Sequence, residues 1–157
     1  MENIFKKTYE LSKFIDGVRL QNKKIVSTNG CFDILHRGHI RYLNDTAKLG
    51  DVLVVGINSD KSVRSLKGEN RPIQSEDDRA YILVSLKAVD AVFIFDELTP
   101  YGFIEVVKPD IHTKGGDYEI ENLPETKIVE KYGGSVKILK FFDGYSTTKI
   151  VQKLNGD

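Results

Sequence analysis

Short apolar runs alternate along this chain with segments of helical period. Residues 24–28 form a β-branched run that ends at Asn29 and Gly30. Residues 51–58 are nearly continuous in apolar side chains, as a strand buried on both faces requires. Residues 91–95 and 135–139 repeat that character, and 110–114 do so more weakly. Between the runs, apolar positions fall on one helical face: Ile40, Leu43 and Ala47; Ile82, Leu83 and Leu86; Phe103, Ile104 and Val107; Ile128, Val129 and Tyr132; Ile150, Val151 and Leu154. Ser75 with Asp78 resembles a capping box, Thr99 before Pro100 an N-cap with a first-turn proline, and Ser146 a further N-cap. Phe5, Tyr9 and Leu11 predict an opening helix over residues 4–16, and the polar stretch 65–75 predicts a loop. Strand and helix in alternation mean parallel strands with crossover helices. The expected fold is α/β: a Rossmann-like, doubly wound parallel sheet of about five strands with helices on both faces.

Composition narrows the class. The chain has 157 residues, enough to bury a core without disulfides. It reads as one domain over 1–157, with 1–22 an N-terminal helix and lead-in and 23–155 the catalytic fold. Lysine plus arginine number 23 and aspartate plus glutamate 23, so no basic surplus exists to coat nucleic acid or an anionic membrane. A single cysteine, Cys31, points to a reducing compartment. Residues 1–7 have no signal-peptide core, and no apolar run approaches the ~18 residues of a membrane span, so the expected location is cytoplasmic.

The chemistry concentrates where the first long run ends. Ligands of doubly wound sheets bind outside the carboxyl ends of the strands. Gly30 permits a tight turn or close approach to a ligand there. Gly38 and His39 open a helix whose N–H groups and dipole attract anions. His36 and His39 can donate to phosphate oxygens, and a bound phosphate would raise their pKa toward the charged form. Cys31, His36, His39 and His112 are zinc-ligand types, but their spacing matches no familiar zinc pattern. Neither G-x-G-x-x-G nor a Walker A motif occurs, which disfavours dinucleotide dehydrogenases and P-loop enzymes.

Gly30-Cys31-Phe32-Asp33 followed by His36-Arg37-Gly38-His39 resembles the signature of the H-x-G-H nucleotidyltransferase superfamily, whose members join a nucleoside triphosphate to a phosphorylated small molecule and release pyrophosphate. Further segments (Asn58-Ser59-Asp60, 63–68, Arg71-Pro72, Asp78-Arg79, 114–118 and 143–148) are similar to one branch, the adenylyltransferase domains that make ADP-heptose from ATP and heptose 1-phosphate. The likeness spans about residues 24–154. Glycerol-3-phosphate cytidylyltransferases share H-x-G-H and Ser-Thr-Thr. They carry an arginine where this chain has Phe141, and Gly-Asp-Asp-Trp where it has Gly115-Gly116-Asp117-Tyr118. That branch, another sugar- or polyol-phosphate nucleotidyltransferase, and a non-catalytic nucleotide-binding module are the alternatives. Flavin and pantetheine nucleotidyltransferases share only the first motif. The heptose branch is often fused to a sugar kinase. The chain has no room for one, so a separate kinase is expected upstream.

The implied reaction is attack of a sugar phosphate oxygen on the α-phosphorus of ATP. A phosphate monoester is already anionic near neutral pH, its second pKa being ~6, so no general base is required. Catalysis rests on positioning and charge stabilisation. His36, His39 and Lys67 are the catalytic candidates. Asn29, Gly30, Cys31, Phe32, Gly38, Arg79, Lys114, Gly116, Asp117, Ser146, Thr147 and Thr148 are expected to hold the nucleotide. Asp33, Asn58, Asp60, Arg64 and Arg71 are expected to hold the sugar phosphate, with Asp33 alternatively orienting a histidine. Mg²⁺ is expected to arrive with the triphosphate, with no direct protein ligand. The resemblance also implies a homo-oligomer.

Overall fold

The computed structural model describes residues 3–140 and 142–156. Strands β1 (Ile4–Phe5), β2 (Ile25–Gly30), β3 (Val52–Asn58), β4 (Ala91–Phe95), β5 (Ile111–Gly115) and β6 (Ser135–Leu139) form one parallel sheet in the order β1-β4-β3-β2-β5-β6. Every residue of β3 is buried, as its continuous apolar run requires. Around the sheet lie helices α1 (Thr8–Leu20), α2 (Arg37–Ala47), α3 (Asp60–Lys67), α4 (Glu76–Val84), α5 (Tyr101–Val107), α6 (Pro124–Lys131) and α7 (Thr147–Asn155).

Two cores cover the two faces. On one, Leu11, Ile15 and Val18 of α1 and Phe103, Ile104 and Val107 of α5 pack on Ile25, Val54 and Phe93. On the other, Tyr42 and Leu43 of α2 and Ala80 and Leu83 of α4 pack on Val26, Leu53, Val55 and Val92. Full burial of each such aliphatic side chain contributes about 1.5–3 kcal/mol. Gly56 lies under the Phe103 ring, which a Cβ there would meet at 2.8 Å. β2 is bonded to β3 on one side and β5 on the other, so the winding reverses between β2 and β5. The crevice outside their carboxyl ends is therefore the place for a ligand.

Five sequence expectations change. Residues 4–5 are an edge strand, not the start of a helix, because Ile4 and Phe5 pair with Val92 and Phe93. Tyr9 is exposed, and α1 turns Leu11, Ile15 and Val18 to the core instead. The polar stretch 65–75 is helical up to Lys67, since Ser59 caps α3 by accepting from the Ser62 N–H. Thr99 caps nothing: the N-cap of α5 is Pro100, and no side chain bonds to that helix end. Finally, α7 buries none of its residues, and Leu154 is 77% exposed. Ser75 and Ser146 do cap their helices, accepting from the N–H groups of Asp78 and Lys149.

Candidate active site

A cleft of about 900 Å³ opens at the winding reversal. Its floor is the end of β2: Asn29, Gly30, Cys31, Phe32 and Asp33. Gly30 lies close under the Phe32 ring, which a Cβ there would meet at 3.0 Å and have to displace. Phe32 and Ile34 both have φ of 50°, in the left-handed region that costs non-glycine residues about 1–3 kcal/mol. Asp33 stands between them and holds the turn. It is buried, and its carboxylate accepts from the Ile73 and Gln74 N–H groups and from Arg71 Nε at 2.8–3.0 Å. Burial alone would raise its pKa. The two N–H groups and the guanidinium outweigh that and hold the carboxyl below its ordinary range. Asp33 therefore orients Arg71 and the 71–74 loop rather than a histidine.

His36 and His39 follow on α2. His36 is the N-cap, and its Nδ1 accepts from the Gly38 N–H at 3.1 Å. The His36 N–H in turn donates to Nδ1 of His39 at 3.3 Å. The rings stack with centroids 3.9 Å apart. A ring nitrogen that accepts a backbone N–H carries no proton, so the neutral imidazoles bear theirs on Nε2. Both histidines line the cleft. Burial lowers the pKa of His36, and burial together with the His36 ring pushes that of His39 down to about 4. The resting pair is thus neutral, and the positive charge expected of it would have to be induced by a bound anion. Gly38 lies where the walls meet: a Cβ there would stand 2.8 Å from Tyr145 Cβ and 3.0 Å from the His36 ring.

The remaining walls come from four elements. Lys67 ends α3, and Asn58 ends β3 with its Nδ2 donating to Ser62 Oγ. Lys114, next to the end of β5, pairs with Glu125 at 2.9 Å. Ser146, Thr147 and Thr148 line the opposite side at the start of α7. The Thr147 hydroxyl donates to the Asp33 carbonyl at 2.8 Å, so it ties α7 to the floor and is not free to donate to phosphate.

A cytidylyltransferase-like family model matches residues 27–153. The chain belongs to the cytidylyltransferase-like family. It is 51% identical over 144 residues to the bifunctional protein HldE of Geobacter metallireducens, covering 92% of this chain and 29% of that protein. The chain thus spans under a third of the length of the curated relatives it matches. Among solved structures it is similar to a lipopolysaccharide core biosynthesis protein from Thermoplasma volcanium. That pair shows a TM-score of 0.64 and 35% identity, covering 79% of this chain and 99% of the other. A pantoate-β-alanine ligase from Francisella tularensis, at 15% identity and TM-score 0.65, covering all of this chain and 79% of its own, shares the fold.

Against that family frame, five expected site residues stand elsewhere. Arg79 is 1% exposed, and four of its five guanidinium N–H groups donate to the carbonyls of Cys31, Asn58 and Gln74 and to Asp60 Oδ1. It braces the ends of β2 and β3 and does not line the cleft. Asp60 is correspondingly held by Arg79 and does not line the cleft. Arg64 is exposed on α3, away from the cleft. Gly116 turns at φ +124° and donates its N–H to the Leu139 carbonyl, and neither it nor Asp117 lines the cleft, whereas Tyr118 does. His112 is buried in the sheet, hydrogen-bonded to Ser27 and Asn29, so it belongs to no zinc site with His36 and His39. Phe141 lies outside the described residues.

Sequence reasoning also missed residues. Tyr42 lines the cleft and shares a buried hydroxyl network with Thr28 and Thr113. Glu125 lines it as the partner of Lys114, and Leu66, Leu98 and Tyr101 form an apolar lip. Phe142 also lines it, with the Arg41 guanidinium 3.8 Å from its ring centre. Their pairings are non-local and carry no local signature.

Proposed function

We propose that this nucleotidyltransferase moves the adenylyl group of ATP onto D-glycero-β-D-manno-heptose 1-phosphate, giving ADP-heptose and pyrophosphate for surface-glycan synthesis. The observation that carries the reading is the stacked His36–His39 pair at the head of α2. With both Nδ1 atoms accepting backbone N–H groups, both Nε2–H groups are left to a ligand in the cleft. The substrate assignment rests on the similarity to HldE and to a lipopolysaccharide core biosynthesis protein.

In the proposed step a heptose phosphate oxygen attacks the α-phosphorus. The bond from that phosphorus to the bridging oxygen breaks, and its electron pair leaves on pyrophosphate. His36 and His39 donate to the α-phosphate oxygens, where charge builds, and the positive dipole end of α2 adds to that field. Lys67 neutralises the leaving group. Arg71, held at Nε by Asp33, presents its remaining N–H groups to the sugar phosphate. The backbone of residues 146–148 receives the β- and γ-phosphates. Mg²⁺ is bound as the ATP complex through phosphate oxygens and water. Among the described residues no group of three or more His, Cys, Asp or Glu is placed to hold a metal.

In this reading residues 1–157 work as one nucleotidyltransferase domain in a homo-oligomeric assembly, and a kinase activity supplies the sugar 1-phosphate. Among the described residues no helix is long and apolar enough to cross a membrane. The test is a matrix of nucleotides against sugar phosphates with pyrophosphate detection. Release with ATP and the heptose 1-phosphate is expected. Turnover of CTP with glycerol 3-phosphate instead would move the assignment to the cytidylyl branch. ATP binding without turnover on any sugar phosphate would make the chain a binding module.

A further inference from the structure

His112 is the one histidine left without a role. It sits in β5 at 0% exposure, with its imidazole between two side chains of β2. Nδ1 is 2.7 Å from Ser27 Oγ, and Nε2 is 3.2 Å from Asn29 Oδ1. The direction of these bonds follows from Ser27. Its hydroxyl is buried at 0% exposure, and among the described residues His112 Nδ1 is its sole hydrogen-bonding partner. If Nδ1 carried the proton, the Ser27 O–H would be buried with nothing to receive it, an outcome that is costly in an interior. The Ser27 O–H therefore donates to Nδ1. Burial keeps the ring neutral, pushing its pKa down to about 3, with Lys114 lowering and Glu125 raising it. The ring proton is then on Nε2 and is donated to Asn29 Oδ1.

This relay settles which end of the Asn29 amide faces outward. Oδ1 is taken by His112, and among the described residues Nδ2 makes no hydrogen bond to the protein. Among the described residues the one buried side-chain polar atom without a partner is Glu125 Oε2. Asn29 Nδ2 is therefore not sealed in, and Asn29 lines the cleft beside Gly30 and Cys31.

We propose that His112 is a positioning residue: through the chain Ser27 O–H to His112 to Asn29 it locks the Asn29 amide with its NH₂ group toward the cleft, as a donor to an acceptor oxygen of the bound nucleotide. The inference rests on the cleft being the nucleotide site. It also gives the buried imidazole a reason to be histidine, since an aliphatic residue would fill the space and leave the amide free to rotate by 180°.

Two measurements test it. The first is independent of any activity. With only three histidines in the chain, the imidazole ¹⁵N shifts of His112 can be assigned by comparison with a His112→Gln sample. The Nε2–H tautomer, unchanged between pH 5 and 8, is expected; the Nδ1–H tautomer would overturn the proposal. The second is calorimetric titration of ATP, and separately of the sugar phosphate, into wild type and variants. Asn29→Asp replaces the donor by a carboxylate and is expected to weaken ATP binding about ten- to a hundredfold, the range of a hydrogen bond to a charged group. His112→Leu is expected to weaken it several-fold, with most affinity restored in His112→Gln, which keeps an N–H donor near the Nε2 position. Equal ATP affinity in wild type, Asn29→Asp and His112→Leu overturns the inference while leaving the proposed function standing. Loss of sugar phosphate binding alone does the same. Absence of ATP binding to wild type itself would instead sink the proposed function, with the tautomer measurement still deciding the relay.

Discussion

The two walls that meet at Gly38 are both helix N-termini with side-chain caps, yet they are built differently. On the histidine wall, α2 buries Gly38, Tyr42, Leu43 and Thr46, and its cap ties the two imidazoles to backbone N–H groups. On the opposite wall, α7 buries nothing, and two bonds hold its start: the Ser146 cap and the Thr147 tether to the Asp33 carbonyl. The first wall holds its donors in place before a ligand arrives. The second is held by fewer contacts, so any ordering of it on binding would be subtracted from affinity. Changes on the histidine wall should therefore appear in fold stability and kcat. Changes on the α7 wall should appear in KM.

The largest expected effect lies behind the histidine wall. Arg79→Leu removes the brace that joins the Cys31 and Asn58 carbonyls and strands Asp60 without its partner. Asp60 stays partly exposed, so the loss comes chiefly from the two carbonyls left unpaired at the strand ends, about 1–3 kcal/mol for each. The urea midpoint should fall accordingly, whereas Arg64→Leu on the exposed face should leave it within about 0.5 kcal/mol. Equal midpoints for the two variants would remove the brace from the argument. Next comes His39→Ala. Loss of a donor to developing charge costs about 2.7–4 kcal/mol of barrier, or roughly a hundred- to a thousandfold in kcat. A fall of less than tenfold, or one confined to KM, would place the charge stabilisation elsewhere.

These cases also mark what the sequence made readable. The strands were legible because β3, β4 and β6 are apolar runs with sharp polar ends, and the histidines because H-x-G-H sits at a strand end where ligands bind. Arg79 was misread as a phosphate ligand. Three of its partners are backbone carbonyls, at Cys31, Asn58 and Gln74, and no residue pattern marks a carbonyl. The edge strand at Ile4 and Phe5 was misread as helix because its pairing with Val92 and Phe93 lies far along the chain. His112 was weighed as a metal ligand because its partner Ser27 lies 85 positions away. What sequence reading missed in each case was a non-local bond, and α7 is the same failure reversed: its apolar stripe was legible but packs on no core among the described residues.

Acid pH offers a measurement on the histidine side alone. In the folded state His39 titrates at about 4 and His112 at about 3, both below the 6.5 of an unperturbed imidazole. Between 6.5 and those values the unfolded chain binds protons that the folded chain refuses, so stability falls as pH falls through that window. Above 6.5 both states are neutral at these rings, and the two contribute no slope. The limiting slope is about 1.4 kcal/mol per pH unit for each group. Asp33, whose folded pKa is lowered, adds a further loss only below its unfolded value of 3.8. Urea midpoints are expected to be level from pH 7 to 8 and to drop from 6.5 to 4.5, with a shallower drop in His112→Gln. A midpoint that rises on acidification would contradict the neutral, buried state of both rings.

The smallest effect should come from Ser146→Ala, and it bears most directly on the difference between the walls. The cap at Lys149 is worth about 1 kcal/mol to a helix. Because α7 buries nothing, that loss should fray its first turn without unfolding the sheet. The global urea midpoint should then hardly move. The frayed turn carries the backbone N–H groups of residues 146–148, so a ligand would have to rebuild it on binding. KM for ATP is expected to rise about fivefold, the factor that 1 kcal/mol represents, with kcat unchanged. The matching change on the other wall is His36→Ala, which removes a cap and a cleft donor together and should lower kcat. A Ser146→Ala enzyme that loses kcat instead would show that α7 is as fixed before binding as α2, and the contrast between the walls would fail.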